Sequence, residues 1–287
     1  MKSIVLLVSH SKNLMLRNWS PMKLPESSKI SNFEMILPYK YDRAELFNND
    51  ERSKLRFRYQ TKLNLVSDLI SKSQKISNVI DVGSAQGNYT LSAAAKGIYS
   101  IGIDLRRPYI KYAKMKAEEI ERKNSDFIIA NAEYLPFRCG SIDCAYVGEL
   151  LEHLSEPKKV LEELNRVSTP KKSFLIFTTP NVQRFRQKKI RNYSNVLLSP
   201  KKDLDDLKYC ADTHVFEFTK EELLSLLSDY FNVEYFSYLW LISPLAILFY
   251  RLPIQSSVIR KMENKLLELG SLAKKVSIDM ICVTQHR

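Results

Sequence analysis

Four side chains able to bind a metal or move a proton punctuate the second half of the sequence. Glu149, Glu152 and His153 lie in Gly148-Glu149-Leu150-Leu151-Glu152-His153-Leu154, and His214 lies in Asp212-Thr213-His214-Val215-Phe216-Glu217-Phe218-Thr219. On an α-helix the positions i, i+3 and i+4 share one face, so the spacing predicts that Glu149, Glu152 and His153 stand together. Two carboxylates and two imidazoles are a donor set for a divalent metal, which would hold an acceptor hydroxyl and lower its pKa. Without a metal, His153, His214 and Glu149 remain the catalytic candidates, with either imidazole as the general base. The plainer alternative is that both glutamates contact a cofactor or cap a helix while His153 makes local hydrogen bonds.

A second group of residues suits a nucleoside ligand. In Val79-Ile80-Asp81-Val82-Gly83-Ser84-Ala85-Gln86-Gly87-Asn88-Tyr89-Thr90-Leu91, an apolar strand runs into glycines that let backbone approach a ligand, and then into a helix. Asp104 ends the next apolar run, 17 residues after Gly87, where a carboxylate can accept both hydroxyls of a ribose. On residue chemistry alone, a nicotinamide cofactor or simple strand capping fits these two features equally well.

A third group separates the cofactors. Asn131-Ala132-Glu133-Tyr134-Leu135-Pro136-Phe137 is followed by Gly140-Ser141-Ile142-Asp143, the Glu149-to-His153 segment and Arg166-Val167-Ser168-Thr169-Pro170. In this order the segments resemble class I S-adenosylmethionine-dependent methyltransferases, over roughly residues 75 to 236. The resemblance is to the subset with a DAE-x-LPF adenine segment, an E-x-x-EH segment and an R-V-x-x-P turn. It implies S-adenosyl-L-methionine as cofactor, with Asp81, Gly83, Ala85 and Gly87 around the methionine part, Asp104 at the ribose, and Asn131 with the Ala132 amide at the adenine edge. Ser84, Leu105, Glu133 and Gly148 complete the implied cofactor-binding set. Three positions depart from the pattern: Ala85 replaces a glycine, Asn131 an acid, and Lys171-Lys172 a glycine pair. The Glu149, Glu152, His153 and His214 pattern also resembles small-RNA 3′-terminal 2′-O-methyltransferases, which implies Mg²⁺ or Mn²⁺ on those residues. Quinone-pathway O-methyltransferases share part of it.

The elements that must position these residues alternate. Strands are expected at Asn78–Val82, Ser100–Asp104, Phe127–Ile129, Ile142–Val147, Phe174–Phe177, Val233–Phe236 and Ile278–Thr284, with amphipathic helices between most of them. One helix opens at Pro108, and another opens at a capping box made by Thr219 and Glu222. The expected fold is α/β: a Rossmann-like, seven-stranded, mostly parallel sheet with helices on both faces and an apolar, helical insertion before the last strand. The expected organisation is an irregular N-terminal extension with short elements (1–58), a cofactor-binding core (59–237), a cap insertion (238–277) and a final core strand (278–287).

Composition narrows the partners. With 44 Lys+Arg against 32 Asp+Glu, the formal charge of +12 points to an anionic partner such as RNA, a phosphorylated substrate or a phospholipid surface. The segment Arg184-Phe185-Arg186-Gln187-Lys188-Lys189-Ile190-Arg191 interleaves cations and aromatics as an RNA-contacting rim would. The apolar run Leu239–Tyr250 is too short to span a bilayer, so no transmembrane segment is expected, although a cap, a lipid-tail site or peripheral membrane contact fits it. Four cysteines without a CxxC pair predict reduced thiols and a cytoplasmic setting. The leading expectation is O-methylation of a small-molecule or lipid-linked, sugar-type hydroxyl. RNA ribose 2′-O-methylation and a catalytically inactive binding module are the alternatives.

Overall fold

The computed structural model describes residues 35–45, helical positions 59, 62, 63, 65–67, 69 and 70, and residues 76–183, 214–241 and 277–287. Seven strands form one sheet: β1 (Asn78–Val82), β2 (Tyr99–Asp104), β3 (Ser125–Ile129), β4 (Cys144–Gly148), β5 (Phe174–Pro180), β6 (Phe231–Leu241) and β7 (Ser277–His286). Their order across the sheet is β3-β2-β1-β4-β5-β7-β6. The first five are parallel, while β7 runs antiparallel to both β5 and β6.

The central strands read as continuous apolar runs because both of their faces are covered. Ile80, Val82, Val147 and Leu175 pack on one side against Leu161 and Leu164 of α4 (Pro157–Val167). Val79, Tyr146 and Ile176 pack on the other side against Leu65 and Val66 of the helical segment ahead of β1. At the sheet's β2–β3 end, α2 (Asn88–Ala94) and α3 (Arg107–Glu119) bury Leu91, Ile110 and Ala113 around Phe127. The glycines there are steric requirements: a Cβ on Gly102 would lie 2.6 Å from a Phe127 ring carbon.

Chain order reverses between β1 and β4, because β2 and β3 extend the sheet one way while β4 and β5 extend it the other. The crossover loops therefore separate at that point, leaving a crevice beyond the carboxyl ends of the strands. Pro108 lies in the first turn of α3. Thr219 caps α5 (Lys220–Ser228) by accepting from the Glu222 amide at 3.1 Å, while the Glu222 carboxylate accepts from the Thr219 amide at 2.8 Å.

Two boundaries differ from expectation. The extension before residue 58 contains a ten-residue helix, α1 (Ile36–Glu45), whose Asp42 is fully buried against α3. Strand β6 continues to Leu241, so the apolar run begins as sheet rather than cap: Leu239 pairs with Asp279 of β7 and is buried. The rest of that run, the basic segment Arg184–Arg191 and Cys210 lie outside the described residues.

Candidate cofactor and catalytic site

Asp81 is the penultimate residue of β1 and is 3% exposed. Its Oδ2 accepts from the Thr90 amide (3.1 Å) and hydroxyl (2.8 Å), which ties the strand to α2. Burial pushes the Asp81 carboxyl up to about 7; the two Thr90 donors oppose that rise and the negative Asp104 adds to it.

The turn after β1 folds back on β2, with the amides of Gly83 and Ser84 both donating to the Ile103 carbonyl at 2.8 Å. Gly83, Ala85 and Gly87 alternate in the left-handed region, at φ 78°, 44° and 74°. For Ala85, where the family pattern has glycine, this conformation costs on the order of 1–2 kcal/mol. The Ala85 amide is held by Asp104 Oδ2 at 2.9 Å. A Cβ at Gly87 would lie 2.5 Å from the Phe127 ring, so packing as well as dihedral angle requires that glycine. Ser84 Oγ is buried and has no hydrogen-bond partner among the described residues.

Asp104, at the end of β2, is 5% exposed. Besides the Ala85 amide, it accepts from the Arg106 amide (2.9 Å) and twice from the Arg106 guanidinium (3.0 Å each). Leu105 beside it is largely exposed. Beyond β3, the Asn131 side chain accepts from the Glu133 amide at 3.0 Å, and its carbonyl accepts from the Tyr134 amide at 2.9 Å, closing a turn through Ala132. The Ala130 amide bonds the Asp104 carbonyl, which holds this turn against β2. Asp81, Asp104 and Asn131 therefore stand at the same end of three adjacent strands.

The end of β4 departs from the expected helix. Glu149 has φ 51°, and only Leu151–His153 forms a single 3₁₀ turn. The i, i+3, i+4 face therefore does not exist, and Glu149 is not part of the group formed by Glu152 and His153. It pairs instead with Lys62 at 2.8 Å, and Lys62 also bonds Asp279 of β7 at 2.9 Å. The ion pair with the buried Lys62 ammonium holds Glu149, and the group of candidate metal donors consists of Glu152, His153 and His214 without it. Gly148 also has a structural reason: a Cβ there would occupy the space of the Tyr146 phenol, whose hydroxyl bonds Thr178 at 3.1 Å.

The other three candidates converge. The donor atoms of Glu152, His153 and His214 all lie within 4.8 Å of one another, and the two imidazole rings sit edge to face at 5.0 Å. The backbone brings them together, because the Glu152 carbonyl accepts from the amides of Val215 (2.7 Å) and Phe216 (3.0 Å) and so pins the His214 segment. Glu152 is 1% exposed; its Oε2 accepts from Thr179, and its Oε1 has no partner among the described residues. Burial, together with the neighbouring Glu149 charge, raises the Glu152 carboxyl well above the usual carboxylate range.

Sequence reasoning missed Lys62, Thr90 and Arg106. Thr90 and Arg106 lie within or beside the quoted motifs, but no spacing rule singles them out. Lys62 lies on a helix far from the site in sequence.

Residues 80–176 match the family described as a methyltransferase domain. Over that third of its length the chain is thus similar to a methyltransferase domain. The match begins in β1 and ends in β5, and so contains the strand ends that carry Asp81 and Asp104 and the turn of Asn131. Norajmaline N-methyltransferase of Rauvolfia serpentina is 33% identical over 101 residues, covering 34% of each chain. The ubiquinone/menaquinone biosynthesis C-methyltransferase UbiE of Rickettsia typhi is 32% identical over 106 residues, covering 34% of this chain and 43% of the relative. The chain thus spans less than half the length of these curated relatives. A solved structure from Pyrococcus horikoshii shares the fold, with a TM-score of 0.53 and 16% identity over 86% of this chain and 99% of that one.

Proposed function

We propose that the chain transfers the methyl group of S-adenosylmethionine to a hydroxyl oxygen of a small or lipid-linked, sugar-type acceptor. The observation that carries the cofactor assignment is the gathering of Asp81, Asp104 and Asn131 at one end of adjacent strands around a left-handed glycine turn. The orphaned, buried Ser84 Oγ in that turn supports it, because an unpaired polar atom there calls for a ligand partner. The bound cofactor supplies an electrophilic methyl on a sulfonium. The chain's contribution is to orient it: Asp81 faces the amino-acid part, Asp104 takes the ribose hydroxyls, and the Asn131 turn meets the adenine edge.

A hydroxyl acceptor must lose its proton as its oxygen attacks, and this favours oxygen over an already nucleophilic amine at a site holding His153, His214 and Glu152. Either imidazole can take the proton, a contribution of about 10²–10⁴-fold. The names of the relatives specify N- and C-methylation, so the oxygen assignment rests on this cluster and not on likeness. Calorimetry with S-adenosylmethionine tests the cofactor: micromolar binding that Asp104→Ala abolishes supports the reading, and no binding to folded protein favours an inactive module. Mass spectrometry of labelled product then locates the methyl, and a methylated nitrogen or carbon removes the hydroxyl reading.

Glu152, His153 and His214 would also hold a divalent cation, which would act as a Lewis acid on the acceptor hydroxyl. The unpartnered Glu152 Oε1 fits this role. With Glu149 held by Lys62, two imidazoles and one carboxylate remain, and this set suits Mn²⁺ or another transition metal better than Mg²⁺. Full turnover in EDTA, with no Mn²⁺ uptake by calorimetry, removes the metal.

RNA ribose 2′-O-methylation is the second reading, favoured by the charge of +12 together with this cluster. Methyl transfer to RNA oligomers with free and blocked 3′ ends separates the two readings, and unlabelled RNA under every divalent ion rejects this one. The free thiols Cys139, Cys144 and Cys282 suit a reducing compartment, so we place the protein in the cytoplasm. Among the described residues no helix is long and apolar enough to cross a membrane. Peripheral membrane contact remains a proposal resting on the apolar run.

A further inference from the structure

We infer that Arg106 is a displaceable occupant of the nucleoside site, an internal competitor that must release Asp104 before a ribose can take its place. This rests on the reading of Asp104 as the ribose acceptor. A carboxylate has about four lone-pair directions. At Asp104 all four are taken: Oδ1 accepts from the Arg106 amide and Nε, and Oδ2 accepts from the Ala85 amide and Arg106 Nη2.

A ribose diol brings two hydroxyl donors to the same two oxygens, so two existing donors have to leave. The two backbone amides are fixed by the glycine turn and the start of α3, and displacing them would undo both. The guanidinium is the mobile pair. It sits at the end of a side chain that is 27% exposed, and it contributes one bond to each oxygen, as a diol would. It is also held from the other side, lying over the buried Tyr109 ring with Cζ 3.8 Å from the centroid. The positive guanidinium therefore shields the acid until a competing ligand arrives, and the apparent affinity for the cofactor is lowered by the fraction of time the fork is closed.

Removing the competitor should tighten ligands that use the diol and leave unchanged ligands that lack it. Isothermal titration calorimetry compares S-adenosylhomocysteine with its 2′,3′-dideoxy analogue on wild type, Arg106→Ala and Arg106→Lys, with a thermal melt to establish folding. Arg106→Ala is expected to tighten S-adenosylhomocysteine roughly 3- to 10-fold, the range of a bidentate, partly exposed ion pair. The dideoxy analogue should not change. Arg106→Lys, which keeps the charge but loses the planar fork, should fall between.

The dideoxy control excludes a general charge effect, which would move both ligands equally. Weaker binding in folded Arg106→Ala, or an equal shift for both ligands, overturns the inference while leaving Asp104 as the ribose acceptor. Failure of wild type and Arg106→Ala alike to bind S-adenosylhomocysteine overturns the cofactor reading and this inference with it.

Discussion

The glycine turn is held from below by a buried charge, and removing that charge should loosen the whole domain. Asp42 of α1 accepts from Tyr112 Oη (2.8 Å), Lys116 Nζ (2.8 Å) and Asn88 Nδ2 (3.0 Å). Lys116 Nζ also donates to Asn88 Oδ1 (2.6 Å) and the Gln86 carbonyl (3.3 Å), so the network grips both neighbours of Gly87. The Asp42 and Lys116 side chains are 0% and 1% exposed. Asp42→Ala takes the buried carboxylate away from the Lys116 ammonium, and breaking a buried pair in this way costs about 3–5 kcal/mol. At about 2.1 cal/mol/K per residue over 287 residues, the unfolding entropy is about 0.6 kcal/mol/K, so Tm should fall by about 5–8 °C if the chain unfolds as one unit. Lys116→Met in the Asp42→Ala background removes the orphaned charge and should recover a substantial part of that loss. Thermal and urea unfolding of the wild type, both single variants and the double variant complete the cycle. A Tm drop below about 2 °C, or a double variant less stable than Asp42→Ala alone, would refute the assignment of this energy to the ion pair.

Because the folded-state pKa of Asp81 is raised to about 7 from an ordinary 3.8, the folded protein keeps a proton there that the unfolded chain releases. The resulting stabilisation is full below the ordinary carboxylate range and is lost as pH rises through about 7, so wild type should lose stability relative to Asp81→Asn between about pH 4 and 7. Denaturant unfolding at several pH values measures this, and parallel pH profiles for the two proteins would contradict it. Binding of S-adenosylmethionine, whose ammonium prefers an ionised partner, should tighten over the same interval in wild type only. Thr219→Ala removes the side-chain acceptor of the α5 capping box and should cost about 1 kcal/mol. An unchanged urea midpoint would show that α5 is held by Leu223 and Leu227 packing alone.

The sheet was legible because its information is periodic: β1, β2, β4 and β5 are apolar runs each bounded by a turn, and Pro108 and Thr219 mark helix starts by local chemistry. The cofactor strands were legible because the glycine turn and Asp104 sit next to strand ends that the sequence already reveals. Long-range polar pairing was not legible. Nothing in Tyr39-Lys40-Tyr41-Asp42 signals that Asp42 will be buried against a lysine 74 residues away, since a lone aspartate in a polar stretch reads as solvated.

The cluster proposed as catalytic shows the same limit. Helical spacing grouped Glu149 with Glu152 and His153, but Glu149 takes a left-handed turn and bonds Lys62, which is 87 residues earlier. Lys62 itself is fixed by Asp279, near the far end of the chain. The ion pairing of Glu149 was therefore decided by a residue before β1 and another in β7, neither within the segment that carries the motif. What the motif encoded was the pair Glu152–His153, and what brought His214 to it was a backbone contact, the Glu152 carbonyl accepting from Val215 and Phe216. A substitution at Lys62 should thus act on the cluster through Glu149, by releasing a second carboxylate toward Glu152 and His153 and making the donor set richer in oxygen. The preference for Mn²⁺ over Mg²⁺ proposed for this site would then narrow in Lys62→Met, and calorimetric titration of both ions into that variant and wild type, with an unchanged ratio as the contrary result, tests whether Lys62 governs the cluster.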